Sequence, residues 1–229
     1  MSVGGVDKNI YYGIPYSLSP SKLGKICGQR RQEIAGAGAL SRGDRLKLLI
    51  SLVEECRSQK GSLSETFEVL RSTLPVAPGQ IGTYNEDLLR AVVSVVVNSL
   101  NNLELQREAG ALLEKETESI PAVEERGRIL RETTVDCIDT CKRGRILRFA
   151  TSKLLGRQLG EVLRYATEGL VPAIRGDILR FTLRGLNLDM DNIKLVLSTA
   201  TEGIVNDCAR SFILRRAVVD ADNSNAYGQ

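Results

Sequence analysis

Five arginines recur at one position of a short repeated sequence, and they are the side chains of this chain best suited to binding an anion. Each follows an Ile-Leu or Val-Leu pair, and in four of the five copies a glycine stands four positions before the arginine. A guanidinium group stays charged and presents several N–H donors in one plane, so it matches the oxygens of phosphate and carboxylate groups. The five residues are Arg131, Arg148, Arg164, Arg180 and, in a looser last copy, Arg215.

An aromatic residue directly follows three of these arginines. On repeated helices, equivalent arginines form a ladder that can follow a phosphate backbone, and aromatic rings add stacking contacts with bases. The alternative is structural, because arginines near helix ends complement the helix dipole and form salt bridges, and a Phe or Tyr beside Leu usually packs in the core. Adjacent helices of an array run antiparallel, so equivalent arginines are expected to alternate between opposite edges. The pairs are Arg148–Phe149, Arg164–Tyr165 and Arg180–Phe181.

Two further groups of basic residues are candidate contact sites for RNA or for an anionic membrane surface. The first belongs to a predicted short helix over residues 21–33, and the second places three positive charges close together at a predicted turn. Basic clusters of this kind attract phosphate groups of either partner, while a solvated helix end is the alternative interpretation. The residues are Lys22, Lys25, Arg30 and Arg31 in the first group, and Lys142, Arg143 and Arg145 in the second.

Side chains for catalysis are scarce. The chain has no histidine, which excludes Ser-His-Asp and Cys-His catalysis and removes the commonest metal ligand. The five cysteines are scattered, and the pair Cys137 and Cys141 would need two distant partners to hold zinc, so we interpret the cysteines as small hydrophobic residues in a reducing compartment. We therefore expect no catalytic residue, no metal site, no cofactor, no small-molecule substrate and no enzymatic activity; an enzyme that uses only carboxylates or a thiol is the alternative.

The repeat that carries the arginines predicts an array of short helices. Its glycines, Gly127, Gly144, Gly160 and Gly176, follow one another at a nearly constant spacing. Such a period fits a helix of about 11 to 13 residues and a short connection, and pairs of helices then recur at the scale of helical repeat arrays. The Ile/Val-Leu pair is expected in the core, and the glycine marks either a helix end or a close helix crossing.

Composition and periodicity predict an all-α fold. Aromatic residues make up 4% of the chain and Trp is absent, which favours packed helices with a core of Leu, Ile, Val and Ala. Helices are expected over residues 41–57, 62–74, 85–105 and 104–118, before the repeat begins. We expect an extended arm over 1–20, an N-terminal helical bundle over 21–120, a repetitive helical domain with a period of about 16–17 residues over 121–218, and a polar tail over 219–229.

The predicted arm is too apolar for a chain terminus that makes no contacts. Its glycines and prolines exclude a long helix, while three of the six tyrosines of the chain lie within it. It is expected to dock either across its own domain or on another subunit as an oligomerisation arm. Its apolar residues are Tyr11, Tyr12, Ile14, Tyr16 and Leu18.

The net charge of +3 conceals three blocks of alternating sign. Residues 1–60 carry ten basic and five acidic side chains, residues 61–125 carry four and eleven, and residues 126–216 carry seventeen and ten. An acidic block of one copy can therefore meet a basic block of another. The most apolar run, 88–97, is too short to span a membrane, and no signal peptide is visible, so an intracellular protein is expected, cytoplasmic or nuclear or within a virion, and not secreted.

These features favour a non-enzymatic structural protein that assembles with itself on RNA or on an anionic membrane surface. The charge blocks, the aromatic arm and the repeated arginines resemble, in general design, those of the small helical nucleocapsid and matrix proteins of RNA viruses. The alternative is a helical-repeat adaptor that binds a protein partner in a groove. The salt dependence of binding distinguishes the two hypotheses, because the affinity for RNA falls steeply as the salt concentration rises.

Overall fold

The computed structural model describes residues 29–36, 39–58, 62–73, 81–98 and 102–218, and helices make up most of them. Apart from one isolated bridge between Arg184 and Leu186, this part of the chain has no β-structure, so the all-α prediction is confirmed. Several predicted features lie outside the described residues. They are the arm 1–20 with Tyr11, Tyr12, Ile14, Tyr16 and Leu18, the tail 219–229, Lys22, Lys25 and the side chain of Arg31.

Eleven helices follow one another in the described part of the chain. The six from α6 onward are 11 or 12 residues long, as the repeat period predicted. Their bounds are α1 Arg31–Gly36, α2 Arg42–Ser58, α3 Leu63–Thr73, α4 Ile81–Asn98, α5 Leu103–Glu118, α6 Val123–Thr133, α7 Thr140–Ala150, α8 Gly156–Ala166, α9 Pro172–Leu183, α10 Met190–Ala200 and α11 Asp207–Val218.

Helix α4 differs from the sequence prediction at both ends. It begins at Ile81, so the polar residues 85–87 lie inside the helix and do not cap it. Glu86 and Asp87 serve instead as partners of arginines on neighbouring helices. Asp87 is 1% exposed and accepts hydrogen bonds from Arg42 and Arg45 of α2, at 2.9 and 2.6 Å. Carboxylates that look like a cap in the sequence are used here to join helices.

The helices from α2 onward form two rows, and all of them except α3 pack most closely against a helix two places away in the chain. One row contains α2, α4, α6, α8 and α10, and we call it the even row; the odd row contains α3, α5, α7, α9 and α11. Within a row the helices run parallel. Gly110 of α5 lies against Phe149 of α7, and Glu114, one turn later, accepts hydrogen bonds from Ser152 and from the backbone N–H of Lys153 just after α7.

Consecutive helices belong to different rows and run antiparallel. Arg126, near the start of α6, donates a hydrogen bond to the backbone oxygen of Ala150, the last residue of α7. Arg175, near the start of α9, reaches Ala200 at the end of α10 in the same way. The two-row packing also includes α2 to α5, which precede the repeat recognised in the sequence.

The repeated glycines lie where helices of one row cross most closely. A Cβ atom added to Gly144 would lie 2.5 Å from the Cβ of Phe181 and 2.9 Å from the backbone oxygen of Ile178, both in α9. No side chain fits such a space, so the glycine marks a crossing and not a helix end. Five glycines are used in this way: Gly110 on Phe149, Gly127 on Tyr165, Gly144 on Phe181, Gly160 on Thr199 and Gly176 on Arg216.

The last two helices lack this glycine. Lys194 of α10 and Ser211 of α11 occupy the equivalent positions, two places before the buried Val196 and Ile213, and both are exposed. In the described part of the chain no further helix packs on these two surfaces. From α5 onward, glycine at this position therefore coincides with the helices that receive a neighbour, and a polar side chain with those that end the array.

A continuous hydrophobic core lies between the two rows and extends from α2 to α11. The Ile/Val-Leu pair of each repeat enters it; for example, Ile146, Leu147 and Leu163 are fully buried. Isolated helices of this length are unstable in water, so they depend on this burial, which contributes about 1.5–3 kcal/mol per large apolar side chain.

The close crossings predict a large effect of one added methyl group. Replacing Gly144→Ala should lower the free energy of unfolding by about 1–3 kcal/mol, because α7 and α9 must move apart or their side chains must strain. Gly43→Ala in α2 is the matched control, since nothing lies within 4 Å of its added Cβ; it should raise stability by up to about 1 kcal/mol. Urea denaturation measures both changes, and equal stability of the two variants would contradict the crossing.

Candidate anion-binding surface

The two-row arrangement divides the five repeated arginines between two surfaces. Arg131 and Arg164 belong to α6 and α8 of the even row, while Arg148, Arg180 and Arg215 belong to α7, α9 and α11 of the odd row. This is the alternation expected of antiparallel neighbours. No single surface carries the complete ladder.

The even-row arginines are paired with carboxylates. Nη1 of Arg131 lies 2.6 Å from Glu168, and Nη1 of Arg164 lies 3.7 Å from Glu202. Both glutamates occupy the same place in a repeated Thr-Glu-Gly sequence, directly after the helix two places further along. Arg164 also donates to the hydroxyl of Tyr165 at 2.9 Å. These two arginines therefore join neighbouring helices of the even row, which is the structural use considered above.

Arg148 of the odd row has a different environment. Its Nη1 donates to the backbone oxygen of Arg184 at 2.9 Å, and its guanidinium group lies 4.5 Å from the ring centroid of Phe149. Gly185, with φ of +89°, leaves the space for it, because an added Cβ would lie 2.7 Å from Nη1. Burial lowers the pKa of Arg148 below its usual value, and the nearby charge of Arg145 lowers it further.

Asp177 of α9 is the carboxylate that the odd row places beside its repeated arginines. It lies 3.5 Å from Arg180 and accepts two hydrogen bonds from Arg216 of α11, at 2.7 and 2.8 Å. Arg180 also lies over the ring of Phe181, 4.6 Å from its centroid. One aspartate thus contacts two guanidinium groups, whereas each glutamate of the even row serves one repeated arginine.

Three more arginines complete this surface without a carboxylate of their own. Arg145 is half-buried, Arg184 and Arg215 are exposed, and none of them forms an ion pair within the residues that the structure describes. Arg145 and Arg148 follow Gly144 by one and four positions, which places them on the side of α7 opposite the buried Ile-Leu pair. We define the arginine face as Arg145, Arg148, Arg180, Arg184 and Arg215.

The described residues of the two other predicted basic clusters are largely engaged within the protein. Lys142 and Arg143 lie in the first turn of α7, where Lys142 donates to the backbone oxygen of Val97 at 2.9 Å. Arg143 is only 3% exposed, so Arg145 alone of this predicted turn cluster belongs to the arginine face. Arg30 lies 2.6 Å from Glu33 and 3.1 Å from Glu55, which joins the start of the described chain to α2.

A second set of arginines, which the sequence interpretation did not single out, is buried between the rows. Arg126, Arg143 and Arg175 are 6%, 3% and 8% exposed and each directly precedes a repeat glycine. Each donates from Nη2 to the last backbone oxygen of the following helix: Ala150 at 3.3 Å, Ala166 at 3.4 Å and Ala200 at 2.7 Å. Burial lowers the pKa of all three.

Helix C-termini supply the counter-charge for these buried arginines. The last carbonyl groups of a helix lack intrahelical hydrogen-bond donors and carry a partial negative charge. A guanidinium group placed there donates the missing hydrogen bond and supplies the opposite charge. An arginine directly before a Gly-x-Ile-Leu sequence, at 126–127, 143–144 and 175–176, is the sequence signal that identifies them. Their role is to connect the two rows.

Removal of one buried arginine should therefore destabilise the fold. Arg175→Ala leaves the carbonyl of Ala200 without its charged donor and opens a cavity, so the free energy of unfolding should fall by about 2 kcal/mol or more. Arg184→Ala removes an equal charge from an exposed position and should change stability by less than about 0.5 kcal/mol. Thermal or urea unfolding compares the two, and a neutral Arg175→Ala would argue against the capping role.

Other functional chemistry is limited in the described part of the chain. No three Cys, Asp or Glu side chains there come close enough to hold a metal ion, and no helix there has the length and apolar character needed to cross a membrane. Burial raises the pKa of the Cys137 thiol to about 11, while Cys208 is exposed. Compared with protein-family models, curated proteins and solved structures, the chain has no match.

Proposed function

We propose that this chain is a non-enzymatic helical-repeat protein that binds RNA along its arginine face and polymerises on it, as a nucleocapsid protein does. One observation carries the proposal: Arg131 and Arg164 of the even row have glutamate partners, whereas Arg148 and Arg215, at equivalent positions of the odd row, have no carboxylate partner among the described residues. Arg180, the remaining repeated arginine of the odd row, shares the carboxylate of Asp177 with Arg216, so the described part of this row has more guanidinium groups than carboxylates to balance them. Arg215 is therefore available to an external anion, and Arg148, held by the backbone oxygen of Arg184, adds a positive charge that no described carboxylate balances.

The geometry of the face suits a polymer of phosphates. Helices α7, α9 and α11 lie side by side, and packed helices are about 8–10 Å apart, so arginine sites recur at a regular step along the row. Arg148 and Arg180 are held over aromatic rings, which reduces the freedom that they lose on binding. All five cations of the face are arginines, whose planar donors match phosphate oxygens.

RNA is favoured over a membrane surface by the same features. A membrane attracts lysine and arginine alike through its surface potential, and it does not require a regular spacing. A row of guanidinium groups on three parallel helices matches phosphates that are themselves joined in a line. Binding to anionic lipid remains the alternative outcome of the experiment below.

The charge blocks of the sequence contribute less to assembly than their size indicates. Acidic residues of the middle block pair with basic residues of the last block within one chain, as Glu86 does with Arg128 at 2.8 Å and Glu118 with Lys153 at 3.2 Å. Contacts between copies therefore need another source, and the apolar N-terminal arm is the sequence feature suited to it.

A helical-repeat adaptor for a protein partner is the second candidate function. It is favoured by large apolar side chains that are almost fully exposed in the connections between helices, such as Ile138 at 91% and Val205 at 96%. Surfaces of this kind mark protein contacts more often than nucleic-acid contacts. An adaptor would bind its partner without the steep salt dependence of an RNA complex.

Fluorescence anisotropy with a labelled single-stranded oligouridylate tests the arginine face. The double variant Arg145→Gln, Arg184→Gln should bind about tenfold or more weakly at low salt, because two phosphate contacts are lost, and the slope of log affinity against log salt should fall by about 1 for each contact. The variant Arg131→Gln, Arg164→Gln removes the same charge from the even row and should bind like the unmodified protein. Equal losses in the two variants would contradict the assignment of the face.

Light scattering after size exclusion, with absorbance at 260 and 280 nm, tests assembly on RNA. At low salt the protein should elute as large particles that contain nucleic acid. A monomer free of nucleic acid would overturn the proposal. Flotation with phosphatidylserine vesicles distinguishes RNA binding from membrane binding. Binding to vesicles without binding to oligouridylate would assign the face to a membrane surface.

A further inference from the structure

A recurring contact joins each helix of a row to the residues just beyond the next helix of that row. The residue four positions after the repeat glycine contacts the residue eight positions after the corresponding position of the helix two places further along. For example, Arg131 of α6 lies 2.6 Å from Glu168, just beyond α8. The other contacts of this kind are Glu114 with Ser152, Arg148 with the backbone oxygen of Arg184, and Arg164 with Glu202, where Lys194 replaces the glycine.

The last two helices of the odd row, α9 and α11, predict one more contact of this kind. Arg180 stands four positions after Gly176 of α9. In α11, where Ser211 replaces the glycine, the residue eight positions later is Val219. Val219 is the first residue of the tail 219–229, and Asp220 follows it. The register of the array therefore directs Arg180 to the start of the tail.

The positive charge of the arginine face extends to this point. The odd-row helices run parallel, so their C-terminal ends lie at one edge of the array. Arg184 directly follows α9 and Arg215 belongs to the last turn of α11; both are exposed, and neither forms an ion pair with another described residue. Asp177 is shared by Arg180 and Arg216. The described carboxylates at this end of the face are therefore fewer than the guanidinium groups.

The tail has the complementary charge and sufficient length. Its residues include Asp220 and Asp222 and no lysine or arginine. An extended chain spans at most about 3.3–3.6 Å per residue, so Asp222, four residues beyond the end of α11, lies within about 14 Å of Val218. Packed helices are about 8–10 Å apart, so both aspartates can reach the end of α9.

We propose that the tail 219–229 binds the arginine face of its own chain at α9 and α11, with Asp220 paired to Arg180 and Asp222 beside Arg184 and Arg215. This inference rests on the proposed function, because it regulates the same surface. The covalent link to α11 favours the tail of the same chain over that of another copy. A short flexible connection gives an effective concentration on the order of millimolar.

A tail bound in this way competes with RNA. Phosphate groups reach Arg180, Arg184 and Arg215 only when the carboxylates have left them. Exposed ion pairs are individually weak, and those of the tail gain only from their attachment to α11. A long polyanion that also contacts α7 displaces the tail, whereas a single phosphate group does not. The tail therefore makes the face selective for polymeric RNA over free phosphate.

Backbone order parameters from ¹⁵N relaxation test the contact in the full-length protein at low salt, without RNA. The amides of Asp220 and Asp222 should be ordered, with values near about 0.8. They should fall below about 0.6 in the variant Arg180→Gln, Arg184→Gln, which removes the partners of the tail. The variant Arg131→Gln, Arg164→Gln removes the same charge from the even row and should leave both amides ordered. Equal order parameters in the two variants would overturn the inference.

Anisotropy with labelled oligouridylate tests the competition. The variant Asp220→Asn, Asp222→Asn should bind about threefold to tenfold more tightly than the unmodified protein at low salt, because RNA no longer displaces two ion pairs. Glu65→Gln, Glu104→Gln removes two exposed carboxylates from the first turns of α3 and α5, and it should change the affinity by less than about twofold.

The two measurements separate the inference from the proposed function. An aspartate variant that binds oligouridylate no more tightly than the unmodified protein would overturn the competition. Absence of RNA binding in every variant would overturn the proposed function, whereas the order parameters decide without RNA whether the tail occupies the face.

Discussion

The close approach of parallel helices at the repeat glycines is the constraint on which the rest of this protein depends. With helices this short, stability comes from contact with neighbours, and the glycines bring those neighbours close enough to bury the Ile/Val-Leu pairs. The same crossings fix the register between helices two places apart. Register then decides which side chain each repeated arginine meets, so the surface chemistry follows from the packing.

Two sets of arginines have different roles in this helical array. The set that precedes the glycines is buried and donates hydrogen bonds to the backbone oxygens that end neighbouring helices, which joins the rows from inside. The set that follows the Ile/Val-Leu pairs lies at the surface and differs between rows, because only the even row places a glutamate after the next helix of that row. Arginine thus holds helices together at some positions of the repeat and leaves positive charge available at the surface at others.

The helical array was predictable from the sequence, because a glycine and an apolar pair at a constant period determine helix length and core position. The copy at Gly110 was missed because Leu112, Leu113 and Glu114 replace the usual Ile-Leu-Arg. Which helices touch was not predictable, since the period of the repeat is equally compatible with packing on the next helix or on the one after. The partners of Arg131 and Arg148 lie on or just after the helix two places further along the chain. They could not be predicted, because the sequence does not show which helices touch.

The two-row packing places alternate helices of the chain in alternate rows, so the number of helices before a given helix determines its row. Duplication or loss of a pair of helices, together with their connections, would keep every later helix in its own row and preserve both the glycine crossings and the surfaces. A change by one helix would move all later helices to the opposite row, so that charged and apolar surfaces beyond that point would exchange sides. The array can therefore change its length without losing its faces only in units of two helices.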